Sequence, residues 1–238
     1  MRPTTVATLV SVGALGLAAC GGEEEPGAAA RTNTQAAAPS QAMNGTGCRP
    51  VQTPAPKAVQ ELEAPSLALG GDGYIAVMET NCGTIEIELA AEEAPETVAS
   101  FVSLARMDFF DDLTFHRIAQ DPSGGDFVIQ GGDPDGTGQG GPGYSVVEPP
   151  PEDVAYDRGT VAMAKTEIED PGTSGSQFFI VTADSAQLPP DYALLGQVIS
   201  GGDAVGAIAD VDTDPTTEMP LAPVVIQEIT ITEGDRDR

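Results

Sequence analysis

Beyond residue 73 the chain is divided into short apolar runs that are separated by loops rich in glycine and proline. Runs of this length, bounded by turn residues, are typical of strands rather than helices. They lie at residues 75–80, 84–89, 113–118, 126–130, 160–164, 177–182, 193–199 and 223–232. Many short strands with few helices predict a mainly β domain built as an antiparallel barrel.

The first two runs show the strand pattern most clearly. Residues 84–89 alternate apolar and acidic side chains, which is the period of a half-buried strand, and Asn81-Cys82-Gly83 supplies a turn before them. Residues 94–105 instead repeat apolar side chains at helical spacing, and Pro95 suits the first turn of a helix. A shorter helical pattern covers residues 203–209. We therefore expect one or two helices beside the barrel.

Residues 1–19 have the features of a bacterial export signal. Arg2 supplies a positive start, and the apolar segment behind it is too short to span a bilayer comfortably. The segment ends in Leu17-Ala18-Ala19-Cys20-Gly21, which resembles the site where bacterial lipoproteins are cut before a cysteine that then receives lipid. We expect Cys20 to be lipidated and to anchor the protein to the cell membrane outside the cytoplasm. The alternative is an ordinary secretory signal with an incidental cysteine.

Residues 20–70 have the composition of a tether. Glycine, alanine, proline and glutamate are frequent and side chains large enough to build a core are nearly absent, so we expect a flexible, disordered segment. A helix over the alanine-rich residues 28–38 is the alternative, although glycine and proline flank it closely. The folded domain is expected at residues 71–233, followed by a charged tail at residues 234–238.

Two cysteines remain if Cys20 carries lipid: Cys48 in the predicted tether and Cys82 in the turn of the first hairpin. In an exported protein their pairing is favoured, because the compartment is oxidising. We expect a disulfide that joins the tether to the hairpin. The alternative is two free thiols.

The charge of the chain argues against one class of partner. Its 37 acidic and 10 basic residues give a formal net charge of −27 without any basic patch, so we expect no binding to nucleic acid. The single histidine, His116, leaves no histidine pair for a metal. The glycine-rich residues 131–143 match neither a phosphate-binding loop nor an EF-hand. We expect no metal and no cofactor.

One arginine is conspicuous because cations are scarce in this part of the chain. Between Gly71 and Glu233 the cations are Arg106, Arg117, Arg158 and Lys165. Arg117 lies among apolar residues, shortly before a second apolar run that leads into the glycine-rich loop. It is either a surface arginine whose stem lies along the core or a guanidinium at the floor of an apolar groove.

Five motifs follow one another in the domain: Phe115-His116-Arg117-Ile118, Phe127-Val128-Ile129-Gln130-Gly131-Gly132-Asp133, Gly138-Gln139-Gly140-Gly141, Gly159-Thr160-Val161-Ala162-Met163-Ala164 and Gly175-Ser176-Gln177-Phe178-Phe179-Ile180. In order and approximate spacing they resemble the cyclophilins, a family of peptidyl-prolyl cis-trans isomerases. The resemblance covers roughly residues 71 to 233. It implies a closed eight-stranded antiparallel barrel capped by two helices.

The resemblance also implies roles for the matching side chains. Arg117 matches the catalytic arginine, and Gln130, Phe127 and His116 match residues around it. The implied substrate-binding positions are Val128, Gly138, Ala164, Lys165, Thr166, Gln177, Phe179 and Leu188. Two rim positions differ from many members of the family, since Gln187 replaces a tryptophan and Tyr192 replaces a histidine. These differences bear on substrate preference more than on catalysis.

Together with the export signal, the resemblance predicts a monomeric isomerase that is tethered to the membrane. Its partners would be proline-containing segments of exported proteins, whose folding it would assist. The alternative is a chaperone module that grips proline segments with little turnover. Arg117 favours the enzyme, because a pure binder needs no guanidinium beside its pocket.

Overall fold

The computed structural model describes residues 47–58, 61–66, 69 and 73–233. The predicted signal at residues 1–19, Cys20 and the tail at residues 234–238 lie outside the described residues. The elements in chain order are β1 (Tyr74–Thr80), β2 (Gly83–Leu89), α1 (Pro95–Ala105), β3 (Leu113–Gln120), β4 (Asp126–Asp133), β5 (Val146–Val147), β6 (Tyr156–Asp157), β7 (Thr160–Met163), β8 (Thr173–Ser174), β9 (Phe178–Val181), β10 (Ser185–Ala186), β11 (Leu194–Ser200), α2 (Gly202–Ala209) and β12 (Val225–Glu233).

Within the described residues, eight strands close into a barrel in the order β1-β12-β3-β4-β9-β7-β11-β2. All of these neighbours are antiparallel, which confirms the predicted fold. β1 and β2 form the predicted hairpin, and β12 pairs with the other side of β1. The closure leaves no free strand edge in the barrel. Two small sheets, β5 with β8 and β6 with β10, accompany it.

Both helices lie where helical spacing placed them. α1 buries the expected apolar stripe of Val98, Phe101, Val102 and Ala105. Its first turn receives a partner from far along the chain, because the Glu148 carboxylate accepts hydrogen bonds from the amides of Glu96 at 3.2 Å and Thr97 at 2.7 Å. An acidic group suits the positive end of the helix dipole. Within the described part of the chain, no helix is both long and apolar enough to cross a membrane.

Aromatic rings fill the barrel beneath the strand that carries Arg117. Phe178 on β9 makes edge-on contacts with Phe101 and Phe115 at 6.0 Å and with Phe110 at 6.1 Å between ring centroids. All four rings are buried. Because Phe115 comes shortly before Arg117 on β3, this packing holds the part of the strand that carries the arginine.

Residues 47–58 and 61–66, which we call the strap, run along the outside of the barrel. Cys48 is bonded to Cys82 with an S–S distance of 2.01 Å, and both cysteines are buried. Beside the disulfide, the Arg49 amide donates to the Asn81 carbonyl at 2.8 Å, and the Asn81 side-chain amide donates back to the Arg49 carbonyl at 2.8 Å.

The strap continues to the glycine-rich loop between β4 and β5. The Lys57 amide donates to the Pro134 carbonyl at 2.8 Å, and the Leu62 amide donates to the Pro142 carbonyl at 2.8 Å. The Lys57 ammonium also donates to the carbonyls of Asp108 and Phe109, each at 3.0 Å.

These contacts differ from the expectation of a flexible tether up to residue 70. The described strap residues have the polar, proline-rich composition of a tether, but a disulfide and main-chain hydrogen bonds attach them to the barrel. The disulfide is the one predicted between Cys48 and Cys82. The main-chain hydrogen bonds require no apolar side chains, so the composition of residues 47–66 did not reveal them. The folded part of the chain therefore begins earlier than the predicted boundary at residue 71.

Candidate active site

The candidate site is built on the pairing of β3 with β4 and of β4 with β9. Arg117 lies opposite Gln130, and Gln130 lies opposite Phe179 on the next strand. The β3–β4 register is irregular between Phe115 and Arg117, so Phe115 and His116 are both buried while Arg117 is half-exposed. An irregularity of this kind changes the direction in which side chains leave a strand.

A chain of side-chain hydrogen bonds connects these strands to the glycine-rich loop. Arg117 Nη1 donates to Gln130 Oε1 at 3.3 Å, and Gln130 Nε2 donates to Gln177 Oε1 at 3.0 Å. Gln177 Nε2 then donates to the Gly140 carbonyl at 2.9 Å. Each amide therefore has its orientation set by a neighbour on both sides. The guanidinium is thereby linked to the loop that forms the far side of the site.

Buried Asp133 holds that loop in shape. One of its carboxylate oxygens accepts from the Asp135 amide at 3.0 Å, and the other accepts from the Gly138 amide. A side chain at position 140 would collide with the Asp133 carboxylate, so glycine is required there for steric reasons. The sequence motif contained Asp133 but did not indicate this role.

Glu218 is the partner of Arg117 that sequence reasoning missed. Its carboxylate accepts from Arg117 Nε at 2.6 Å, and the two side chains are 36% and 37% exposed. Glu218 lies 101 residues from Arg117 in the loop before β12. Acidic residues are so frequent in this chain that no local signal marked this one.

An apolar patch lies on the outside of the barrel beside the arginine. We use this name for Phe127, Val128, Phe179, Leu188 and Tyr192. Ala119, two residues beyond Arg117 on β3, packs in the same cluster, which puts the guanidinium on the side of the strand that the patch occupies.

The rings of the patch pack edge to face and are only partly covered. The Tyr192 ring meets the Phe179 ring at 5.4 Å between centroids. Val128 and Phe179 are buried, whereas Phe127, Leu188 and Tyr192 are half-buried and so keep apolar surface that a ligand can cover. Burial, followed by the carboxylates of Asp191 and Glu167, raises the pKa of Tyr192, while the charge of Arg117 lowers it.

A cavity of about 430 Å³ continues the site on the other side of Gln130. Its lining includes the predicted substrate-binding residues Gly138, Ala164, Lys165, Thr166 and Gln177. At its rim the Lys165 ammonium donates to the carbonyls of Thr166 and Glu169, both at 3.2 Å, and lies 5.7 Å from the centre of the Tyr192 ring. Patch and cavity together form one surface, which we call the groove.

Some main-chain amides at the cavity rim already donate hydrogen bonds within the protein. The Ala164 amide donates to the Gln177 carbonyl at 2.9 Å, and the Thr166 amide donates to the Glu169 carboxylate at 2.6 Å. Of the predicted segment of residues 164–166, the main chain of Lys165 is therefore the best placed to pair with a bound peptide.

His116 is buried next to Gly138, a residue of the groove, because a Cβ at position 138 would lie 3.9 Å from its Nε2. It lines a separate cavity of about 340 Å³, which we call the rear cavity, together with strap residues Pro54 and Pro56. Its side chain is only 7% exposed, and within the described part of the chain neither ring nitrogen has a hydrogen-bond partner. Burial lowers the pKa of His116 and Asp133 opposes this shift.

Comparison with known proteins identifies the family. The family model described as "Cyclophilin type peptidyl-prolyl cis-trans isomerase/CLD" matches residues 75–231. The chain belongs to the cyclophilin family. As a cyclophilin it is a peptidyl-prolyl cis-trans isomerase, which confirms the predicted enzyme class.

Similar proteins are found in bacteria and in a parasite. "Peptidyl-prolyl cis-trans isomerase A" of Mycobacterium tuberculosis is 38% identical over 174 residues, covering 66% of this chain and 91% of the relative. "Peptidyl-prolyl cis-trans isomerase B" of Streptomyces anulatus is 37% identical over 174 residues, covering 66% and 95%. The crystal structure of a cyclophilin-type isomerase from Cryptosporidium parvum has a TM-score of 0.61 at 30% identity and covers 69% of this chain and 100% of its own.

The structure gathers most of the predicted cyclophilin residues at one groove. The groove contains Arg117, Gln130, the patch residues and the residues that line the cavity of about 430 Å³. His116 was predicted as a catalytic neighbour, and this role stays a prediction, since its buried ring lines the rear cavity and also adjoins Gly138 of the groove. Gln187, predicted at the rim, is exposed and donates to the Ser185 hydroxyl at 3.2 Å. Within the described residues no cluster of His, Cys, Asp and Glu is suited to hold a metal ion.

Proposed function

We propose that this cyclophilin isomerises prolyl peptide bonds in exported proteins while it is anchored to the outer face of a bacterial cell membrane by a lipid on Cys20. The catalytic part of the proposal depends on one observation, the Arg117 guanidinium held by Gln130 beside a half-covered apolar patch. The location depends on the sequence around Cys20 and on the disulfide between Cys48 and Cys82.

The barrier to the reaction comes from amide resonance. Rotation about the prolyl bond must cross about 18–20 kcal/mol, and no bond to carbon is made or broken. The enzyme therefore needs only to bind the twisted amide more tightly than the planar one. In the twisted amide the proline nitrogen becomes pyramidal and gains a lone pair, which an N–H of the Arg117 guanidinium can stabilise by a charge-assisted hydrogen bond.

The groove supplies the remaining contacts for a bound peptide. Phe127, Leu188 and Tyr192 keep apolar surface that the proline ring would cover. The residues before proline would lie towards the cavity of about 430 Å³, where the Lys165 main chain can pair with them as a short added strand. One side of the prolyl bond would thus be held while the other side rotates.

The disulfide supports a location outside the cytoplasm. Such bonds persist in oxidising compartments and are rare where thiols are kept reduced. Export is also what the apolar segment before Cys20 predicts, and the strap would then connect the domain to its lipid anchor. A domain on a membrane tether would meet proteins soon after they cross the membrane.

Fractionation of bacteria that express the full chain tests the anchor. We expect the wild-type protein to sediment with membranes after a high-salt wash and the Cys20→Ser variant to be released, with equal turnover of a proline-containing test peptide by both. Cys48→Ser is the matched control, because it removes a different cysteine of the same N-terminal part and should leave the protein on the membrane. A Cys20→Ser protein that stays on washed membranes contradicts lipid anchoring.

A second measurement separates the enzyme from a proline-binding chaperone. Exchange spectroscopy of a test peptide reports the cis-trans interconversion rate, and titration of the same peptide reports binding. Accelerated interconversion that Arg117→Ala lowers by about 100-fold or more supports the isomerase. Binding of the peptide without acceleration by the wild-type protein contradicts it.

A further inference from the structure

We propose that Glu218 is a positioning residue that sets the orientation of the Arg117 guanidinium for isomerisation. This inference rests on the isomerase mechanism above and adds a residue that none of the matching motifs contains. It starts from the ion pair, in which the Glu218 carboxylate accepts from Arg117 Nε at 2.6 Å.

Glu218 and Gln130 hold the guanidinium from two directions. Glu218 takes the Nε proton, and Gln130 takes one proton of Nη1 at 3.3 Å. A guanidinium has five N–H groups in a rigid plane, so two fixed points determine the direction of the other three. Within the described residues no other side chain or carbonyl binds the guanidinium, so the remaining donors are available to a bound peptide.

The main chain around Glu218 is also tied to the strand that carries the arginine. The Glu218 carbonyl accepts from the amide of Ile118, the residue after Arg117, at 2.9 Å. The Glu218 amide donates to the Asp214 carbonyl at 2.8 Å, and the Asp214 carboxylate accepts from the amides of Thr216 at 2.9 Å and Thr217 at 3.0 Å. These hydrogen bonds therefore fix the loop so that the Glu218 carboxylate lies beside Arg117.

The backbone of Glu218 is in a conformation that its residue type disfavours. Its φ is +57°, in the left-handed region that glycine adopts freely and residues with a Cβ avoid. Unfavourable backbone conformations of this kind persist where surrounding contacts enforce them, and they concentrate at functional sites. Glycine would suit the loop better, so a glutamate there indicates that its carboxylate serves a purpose.

Two substitutions distinguish positioning from loop architecture. Glu218→Gly removes the carboxylate and relieves the left-handed backbone, so the fold should be as stable as the wild type or more stable. Its kcat should nevertheless fall about tenfold with little change in KM, because the apolar patch still binds the proline ring. Glu218→Gln keeps an amide oxygen that can accept the Nε proton and should restore kcat to within about threefold of the wild type. Glu233→Gln, in the exposed pair with Arg106 at 3.7 Å, is the matched control and should change nothing.

A readout without substrate keeps this test separate from the isomerase mechanism. In 15N NMR spectra the Arg117 Nε–H signal should be protected from solvent exchange in the wild type and in Glu218→Gln, and should exchange rapidly in Glu218→Gly. Failure of the proposed function would appear as a wild-type protein that does not accelerate the test peptide. Failure of this inference would appear as an unprotected Nε–H in the wild type, or as equal kcat in the wild type and Glu218→Gly.

A double-mutant cycle completes the experiment. In the Arg117→Ala background Glu218→Gly should have no further effect on turnover, because the side chain that it positions is gone. A tenfold loss in that background as well would overturn the proposal, since Glu218 would then act independently of Arg117. A loss confined to KM, or a Glu218→Gln variant as slow as Glu218→Gly, would overturn it too.

Discussion

Arg117 and His116 are neighbours on β3, yet their surroundings differ in every respect that matters for catalysis. Arg117 is half-exposed, bonded to Gln130 and Glu218, and lies beside apolar surface that no part of the described chain covers fully. His116 is buried without a hydrogen-bond partner among the described residues and faces a cavity that the strap helps to close. The guanidinium is therefore oriented and accessible, whereas the imidazole is buried.

The difference shows that a motif does not assign the same role to all its residues. Phe115-His116-Arg117 supplies one core ring, one buried imidazole and one accessible guanidinium because the β3 register is irregular at this point. The groove side of β3 should therefore control turnover, and the strap side should control stability. The predictions below test that division.

Arg117→Ala should have the largest effect. Loss of a charge-assisted bond that forms only in the transition state lowers turnover by about 100- to 1,000-fold, or roughly 2.7–4 kcal/mol. The midpoint of urea unfolding should change little, because the side chain is half-exposed. The prolyl interconversion rate and urea unfolding should be measured on the same sample.

Arg158→Ala is the matched control for that variant. Arg158 also pairs with a carboxylate, that of Asp184 at 3.1 Å, but this pair is exposed and does not line the groove. Its turnover should equal that of the wild type. An Arg117→Ala protein that is folded and still turns over at the wild-type rate would falsify the catalytic assignment.

The strap side should give the opposite result. The double substitution Cys48→Ser/Cys82→Ser opens a loop with a sequence separation of 34 residues, which costs about 3–4 kcal/mol in the chain-entropy account. Turnover of the folded protein should stay within about twofold, because no hydrogen bond of the Arg117 cluster involves the disulfide. Urea unfolding of the variant, and of reduced wild-type protein for comparison, gives the stability change.

A large loss of turnover in the folded, disulfide-free protein would break the division between the two sides. It would mean that the hydrogen bonds from the strap to the Pro134 and Pro142 carbonyls keep the glycine-rich loop ordered where Gln177 contacts it. Leu62→Pro tests that route separately, since proline has no amide N–H to donate to the Pro142 carbonyl, and the disulfide stays in place.

How much of this could be predicted from sequence depends on how local each signal is. Strand alternation and the helical stripe of α1 are local patterns, and they predicted an antiparallel barrel with few helices. The residues of the groove were predicted from the resemblance of the five motifs to the cyclophilins. Glu218 could not be found, because its partner is 101 residues away and the chain is rich in acids. The attachment of the strap was partly visible in Cys48 and Cys82, but its main-chain hydrogen bonds leave no mark on side-chain composition. The orientation of His116 depends on an irregular register that periodicity does not show.

Gln130→Ala should have an intermediate effect on the groove side. It removes one of the two fixed points of the guanidinium and interrupts the chain of bonds to Gln177. A hydrogen bond to a charged group contributes about 1.5–3 kcal/mol, and the 3.3 Å distance places this one at the low end, so turnover should fall about tenfold.

Gln197→Ala is the control for the loss of a glutamine. Gln197 lies on β11, where its side chain donates to the Arg158 carbonyl at 3.2 Å, away from the groove. Its turnover should be unchanged. If the two glutamine variants lose turnover equally, the bond chain through Gln130 has no special role.

The smallest effect is expected at His116 and depends on pH. Burial lowers the pKa of His116, with Arg117 acting in the same direction and Asp133 and Asp135 opposing. The unfolded chain, in which the pKa is about 6.5, therefore binds the proton more readily than the native protein. The contribution of a neutral His116 to stability is complete above that value and is lost as the pH falls below it towards the lower native pKa.

His116→Leu removes this titration and also removes two buried nitrogens that have no partner among the described residues. At pH 7.5 the variant should be about as stable as the wild type, since an apolar group of similar size replaces an unsatisfied polar one, and its turnover should stay within about twofold. Between pH 7.5 and 5.5 the wild type should lose up to about 1.4 kcal/mol more stability than the variant, which is the value of one pKa unit. Asp121, Asp135 and Asp214, whose pKa values are lowered by hydrogen bonds, titrate below this window in both proteins. Urea unfolding at the two pH values gives the comparison.

Parallel losses of stability in both proteins would show that His116 does not titrate between pH 7.5 and 5.5. A hundredfold loss of turnover in folded His116→Leu would instead show that the imidazole is one of the catalytic groups.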